Sequence, residues 1–155
     1  MAKGFVGLNC VSLANNIMEG QKAMKAIVRN IEEEFVVLSP EKQASVQVSD
    51  ALLYQRLSKE YGNFSGHELI AAYEFEKDWN TWEMHPHGDE VVLLLSGCIT
   101  LILKLPQGLE SFTLNRSGSY LIVPKGVWHT AATNTKSKLL FITPGEGTEN
   151  KSEPL

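Results

Sequence analysis

Three of the four histidines and several carboxylates fall in two short stretches, Glu83-Met84-His85-Pro86-His87-Gly88-Asp89-Glu90 and the segment ending in His129. Imidazole and carboxylate together make an oxygen and nitrogen donor set for a divalent transition metal, with Fe²⁺ and Mn²⁺ natural for a carboxylate-rich group and Zn²⁺ suited on affinity grounds. On a β-strand residues i and i+2 share a face, so Glu83 and His85 point the same way and would form two legs of a site. Pro86-His87-Gly88-Asp89 has the composition of a four-residue hairpin connection. It would set Glu90 across from His85 with their Cβ atoms roughly 5 Å apart. His87 is the competing ligand, because it shares parity with His85. In that register Glu83 is left beside the site as an acid or base.

Each of these residues taken alone has a simpler reading as a solvated or hydrogen-bonded side chain, so the metal expectation rests on their joint spacing. Asp89 reads as a turn residue accepting from nearby backbone N–H groups, and His67, next to Gly66, as a surface residue. Trp79, Trp82 and Trp128 read as core or rim packing, although a cavity mouth lined by aromatics would suit an apolar ligand. Glu32-Glu33-Glu34 reads as a solvated turn between strands.

Regular patterning starts at Met24, which leaves residues 1–23 as a loosely attached arm, or Met24 as the natural first residue. The spacing predicts one helix over residues 51–61, capped by Ser49 or Asp50, with apolar positions 53, 57 and 61 on one face and Gly62 as its stop. Strands are expected over 68–75, 79–85, 90–95, 99–105, 110–114, 120–123, 128–133 and 139–143. Short turns such as Ser96-Gly97, Ser117-Gly118 and Pro124-Lys125-Gly126 join them. With no crossover helices between the strands, this is an antiparallel sandwich or barrel. The 90–95 and 99–105 runs alternate weakly, so both faces are expected to be covered, one by the helix and one by a partner subunit. The polar tail 145–155 reads as a frayed end. The expected organisation is an arm over 1–23, a domain over 24–147 and a tail over 148–155.

Over residues 68–143 the chain resembles the cupin superfamily, whose domain is a small jelly-roll barrel marked by two motifs that place metal ligands inside it. Glu90 followed by six residues and Gly97 fits the end of the first motif, with His85 in the place of the second His of its His-x-His pair and Glu83 in the place of the first. The leading Gly of that motif would fall at Lys77. Gly118, Pro124, Gly126 and His129 fit the second motif, while its closing Asn comes one residue late, at Asn134. The stretch 82–90 together with Thr143-Pro144-Gly145-Glu146-Gly147-Thr148 is similar to a group of small cupins without a settled activity. The resemblance implies an all-β antiparallel jelly-roll barrel with one short external helix. It also implies metal ligation by Glu83, His85, Glu90 and His129, with His87 as the alternative ligand.

Composition narrows the function further. The chain has 155 residues, 43% of them hydrophobic and 21% charged, which suits one ordinary globular domain. A net charge of -4 with no block of Lys or Arg removes the footprint of nucleic-acid binding. No apolar run approaches the roughly 18 residues of a spanning helix. Two cysteines, Cys10 and Cys98, are too few for a disulfide framework and imply a reducing, cytoplasmic setting. The leading functional expectation is a homodimeric, metal-dependent small-molecule enzyme of dioxygenase type. A metal-dependent isomerase or decarboxylase, a metal- or ligand-binding sensor, and a metal-free barrel are the other classes that the same residues allow.

Overall fold

The computed structural model describes residues 26–153; the expectations for an arm over 1–23 and a start at Met24 lie outside the described residues. In chain order the elements are β1 (Glu34–Leu38), β2 (Ala44–Val48), α1 (Leu53–Glu60), β3 (Glu68–Phe75), β4 (Trp82–Met84), β5 (Glu90–Ser96), β6 (Ile99–Leu105), β7 (Gly108–Leu114), β8 (Tyr120–Val123), β9 (His129–Ala132), β10 (Ser137–Pro144) and β11 (Glu149–Lys151). Along β5, β6 and the first half of β10 every second side chain is buried, the two-residue period of a strand with one face on a core. The strands form two sheets, ordered β2-β1-β3-β10-β5-β8 and β11-β4-β9-β6-β7, with every pairing antiparallel. Strands adjacent in sequence repeatedly change sheet, which is the jelly-roll arrangement.

Two apolar clusters hold the sheets together. Val92, Leu94, Ile99, Leu101, Leu103, Leu139 and Phe141 fill one end of the barrel. At the other end Leu53 and Leu57 of α1 pack on Phe35, Val37, Leu69 and Ala71 of β1 and β3. The helix therefore packs on β1 and β3 rather than over β5 and β6, contrary to the expectation that it covers those strands. The β5–β6 turn requires glycine at position 97: φ is +91°, and a Cβ there would come 2.5 Å from the Lys136 carbonyl oxygen.

Three further expectations change. The strand expected over 79–85 shrinks to β4, because residues 78 and 79 are tied to the far end of β9 instead: the Trp79 N–H donates to the Ala131 carbonyl and the Thr133 N–H to Asp78 Oδ1, each at 2.8 Å. The tail is not frayed at 149–151, where β11 pairs with β4. The 86–89 segment is not a hairpin turn; it carries the chain from one sheet to the other, since β4 pairs with β9 and β11 while β5 pairs with β10 and β8. Asp89 does accept a backbone N–H there, from Lys125 at 2.8 Å.

Candidate metal centre

The crossing from β4 to β5 brings the candidate ligands together from both sheets. Glu83 on β4 is the cross-strand partner of His129 on β9. His85 lies just beyond β4, where its carbonyl accepts the Gly126 N–H at 2.8 Å, so the Pro124-Lys125-Gly126 turn that leads to His129 also anchors His85. Gly126 takes a positive φ of 76°, which explains a glycine at this place in the turn. Glu90 opens β5 and reaches the histidines from the opposite sheet, with Oε1 3.4 Å from His85 Nε2 and Oε2 3.1 Å from His129 Nε2. Donor atoms of Glu83, His85 and His129 lie within 4.8 Å of one another. Relative exposure is 2% for His85, 2% for Glu90 and 0% for His129.

The surrounding hydrogen bonds decide which nitrogen of each ring is free. Thr148 Oγ1 donates to the Gly145 carbonyl at 3.1 Å and thus has its lone pairs left for His85 Nδ1 at 2.9 Å, which must carry the hydrogen. His129 Nδ1 faces the Val127 carbonyl, an acceptor only, at 3.4 Å. In both rings the proton is therefore held at Nδ1 and the Nε2 lone pair is aimed at Glu90. Thr143 Oγ1 donates to Glu90 Oε1 at 2.6 Å, which fixes that carboxylate as well. What remains is three buried atoms with no hydrogen-bond partner, His85 Nε2, His129 Nε2 and Glu90 Oε2. Neutral imidazole nitrogens and a carboxylate oxygen are all acceptors, so the arrangement calls for a cation among them, a proton or a metal ion. The mutually close donors of Glu83, His85 and His129, with the Glu90 carboxylate against both imidazoles, are of the types that fit a divalent transition metal.

Electrostatics agree with that need. Burial works to raise the Glu90 carboxyl, but the pull of His129 and His85 outweighs it and brings the pKa down to about 2. Burial works to lower His129, and the Glu90 carboxylate overrides it to hold the imidazole above its ordinary value. Glu83 is raised, first by burial and then by repulsion from Glu90, against the attraction of His85. Without metal the Glu90 carboxylate favours a proton on His129, and a metal ion must displace that proton.

The centre opens into a cavity of about 780 Å³. Strand β3 contributes Tyr73 and Phe75, β10 contributes Phe141, and α1 contributes Tyr54 and Leu57. Tyr54 and Tyr73 share a hydrogen bond of 2.7 Å between their hydroxyls, which ties the helix to the barrel wall.

Glu83, His85, Glu90 and His129 are brought together, whereas His87 is exposed and its ring lies near Gly147. His67 is partly buried against the rings of Tyr61 and Phe64, away from the centre. Cys98 forms no disulfide among the described residues. Sequence reasoning missed Thr143 and Thr148 as the groups that fix Glu90 and His85, and missed α1 as a wall of the cavity. Nothing in a threonine's type marks it as an orienting partner; only the pairing of β11 with β4 carries Thr148 to His85.

No protein-family model and no curated protein matches the sequence. Among solved structures the chain is similar to a cupin-2 domain containing protein from Shewanella frigidimarina, at 23% identity, covering 50% of this chain and 70% of that one, with a TM-score of 0.43. It is similar to a protein from Neisseria meningitidis at 24% identity, 48% and 71% coverage and a TM-score of 0.42. A hydroquinone 1,2-dioxygenase from Sphingomonas, solved with 4-hydroxybenzoate bound, is similar at 20% identity, with 49% of this chain and 59% of that one covered and a TM-score of 0.42. The two antiparallel sheets in this strand order make the chain a small jelly-roll barrel. No helix among the described residues is long and apolar enough to cross a membrane.

Proposed function

We propose that the chain is a metal-dependent enzyme of dioxygenase type acting on a small molecule, with Glu83, His85, Glu90 and His129 as ligands of one Fe²⁺, Mn²⁺ or Zn²⁺ ion. The observation that carries this reading is the set of three partnerless acceptors, His85 Nε2, His129 Nε2 and Glu90 Oε2, beside a cavity that Glu83 and Glu90 line. A divalent ion with coordination positions left open supplies dioxygen activation beside an organic substrate. The chain's own residues prepare the place for it. Thr148 and the Val127 carbonyl hold the imidazole protons on the outer nitrogens, and Thr143 orients Glu90. The aromatic walls keep water from the substrate's apolar part.

Elemental analysis of the purified protein, followed by oxygen uptake of the Fe²⁺-loaded form with diketones, thiols and catechols, tests the reading. We expect about one ion per chain and oxygen consumption with at least one substrate class. An ion bound without turnover across the panel would instead indicate a sensor. A cytoplasmic setting belongs to the same reading.

We also infer a homodimer, formed through the outer face of the larger sheet. Tyr120 and Ile122 on β8 are 60% and 50% exposed. They stand beside Leu93 and Val91 of β5, which are paired in turn with Leu140 and Ile142 of β10. An aliphatic face this continuous is the kind that soluble proteins cover with a partner. Light scattering should give the mass of two chains for the natural protein and of one for Ile122→Lys; a monomeric natural protein would rule the dimer out.

A further inference from the structure

The walls of the cavity also say what kind of molecule it takes, an inference that rests on the proposed metal centre and sharpens it. Six rings line the space: Tyr54, Phe64, Tyr73, Phe75, Trp79 and Phe141. Four of them form a connected group, with Phe75 and Trp79 centroids 5.3 Å apart, Trp79 and Phe141 5.9 Å, and Tyr73 and Phe141 6.0 Å. Such a wall accepts a planar apolar body by offset or edge contact. The charged groups on the lining are all acidic, Asp78, Glu83 and Glu90, and among the described residues no lysine or arginine lines it. Lys151, next to Asn150 of the lining, is drawn over the Trp128 ring, 4.6 Å from its centroid.

The charge balance at the centre follows from the ligand types. Two ionised carboxylates cancel a divalent ion, and the imidazoles are neutral when they bind it. A site of three imidazoles and one carboxylate would keep an excess positive charge that welcomes an anion; Glu83 in place of an imidazole removes that excess. Asp78 then leaves the cavity as a whole negative, with Oδ1 already accepting the Thr133 N–H. A carboxylate or phosphate entering this space would leave water without meeting a lysine or arginine, beside an ion whose charge Glu83 and Glu90 already offset and facing the charge of Asp78, which is costly. Neutral polar groups, the Tyr54 and Tyr73 hydroxyls and the Asn150 amide, remain on the lining to bind hydroxyls or amines.

We infer that the cavity selects uncharged or cationic molecules built on a planar apolar ring and turns away carboxylates and phosphates. Three probes on one scaffold test this: 2-phenylethylamine, 2-phenylethanol and 3-phenylpropanoate, titrated calorimetrically into the full chain with and without Zn²⁺ near neutral pH. The amine and the alcohol are expected to bind at least about tenfold more tightly than the carboxylate. Asp78→Asn, which keeps the carbonyl that accepts the Thr133 N–H, is expected to raise carboxylate affinity several-fold relative to the alcohol. Tightest binding by 3-phenylpropanoate, or no binding of any probe at millimolar concentration, would overturn the inference. Zn²⁺ content, measured separately, keeps the two readings apart. Zn²⁺ bound with the carboxylate preferred defeats the selectivity alone, whereas no Zn²⁺ with the amine and alcohol preferred defeats the metal centre alone.

Discussion

Zn²⁺ affinity is expected to fall by more than about a hundredfold in His129→Gln and His85→Gln and to change little in His87→Ala. Each of the first two variants removes an Nε2 that faces Glu90 at 3.1 or 3.4 Å, while His87 is exposed outside the cluster. Glu83→Gln should also lose affinity, because it removes one of the two charges that offset the ion. Thr148→Val is expected to cost about 10- to 100-fold although it touches no ion, since it frees the His85 ring to take its proton on the other nitrogen. Removing one partner of a buried charged pair can cost about 3–5 kcal/mol of stability, so each variant's melting temperature must be measured beside its metal affinity. Glutamine, which is polar and of similar size, limits that loss. If His87→Ala loses the metal and Glu83→Gln keeps it, His85 and His87 are the ligand pair and Glu83 is not a ligand.

The barrel was legible because local signals and the global fold agree. Gly97 and Gly118 mark the turns before β6 and β8, and the 68–75, 99–105 and 120–123 runs match β3, β6 and β8. The ligands were legible as a spacing, but the geometry behind the spacing was not. A four-residue connection of Pro, His, Gly and Asp suggests a hairpin, yet the Gly126 N–H to His85 and the Lys125 N–H to Asp89 fasten it to the 124–126 turn, and β5 departs in the other sheet. The cross-strand partner of Glu83 is consequently His129, and Glu90 pairs with Val123 of β8 and not with His85. Likewise β11 is a run of polar residues, Glu149-Asn150-Lys151, with no strand propensity to betray it; its pairing with β4 decides the matter. The helix was legible from its apolar stripe, but which cavity the stripe closes depends on the position of β1 and β3 relative to the barrel end.

The metal-free protein is expected to melt at a higher temperature at pH 5 than at pH 8, and the Zn²⁺-loaded protein is expected to show the opposite order. Glu90 is held at about 2, below its ordinary 4.5, so the folded state prefers its ionised form; that contribution is complete above pH 4.5 and is lost only as the pH falls toward 2. It is the same at pH 5 and pH 8. Glu83 is raised above 4.5, so the folded state prefers its neutral form and loses that advantage as pH climbs from 4.5 through the raised value. His129 is raised above 6.5, so its contribution is full below 6.5 and disappears as pH rises through the folded value. The lowered carboxyls of Glu41, Asp50 and Glu146 have already made their contributions by pH 5, and the raised Lys136 begins to matter only near 10.5. Between pH 5 and 8 the resolved groups therefore all act in one direction, toward lower stability. Zn²⁺ reverses this because it binds only the deprotonated donors, so its affinity, and with it the stabilisation by mass action, grows with pH. Thermal melts at the two pH values, with a chelator and with Zn²⁺, measure both trends. His129→Gln should flatten the metal-free trend by removing one of its two contributors. Metal-free protein that melts higher at pH 8 would show that no proton is held between Glu90 and His129.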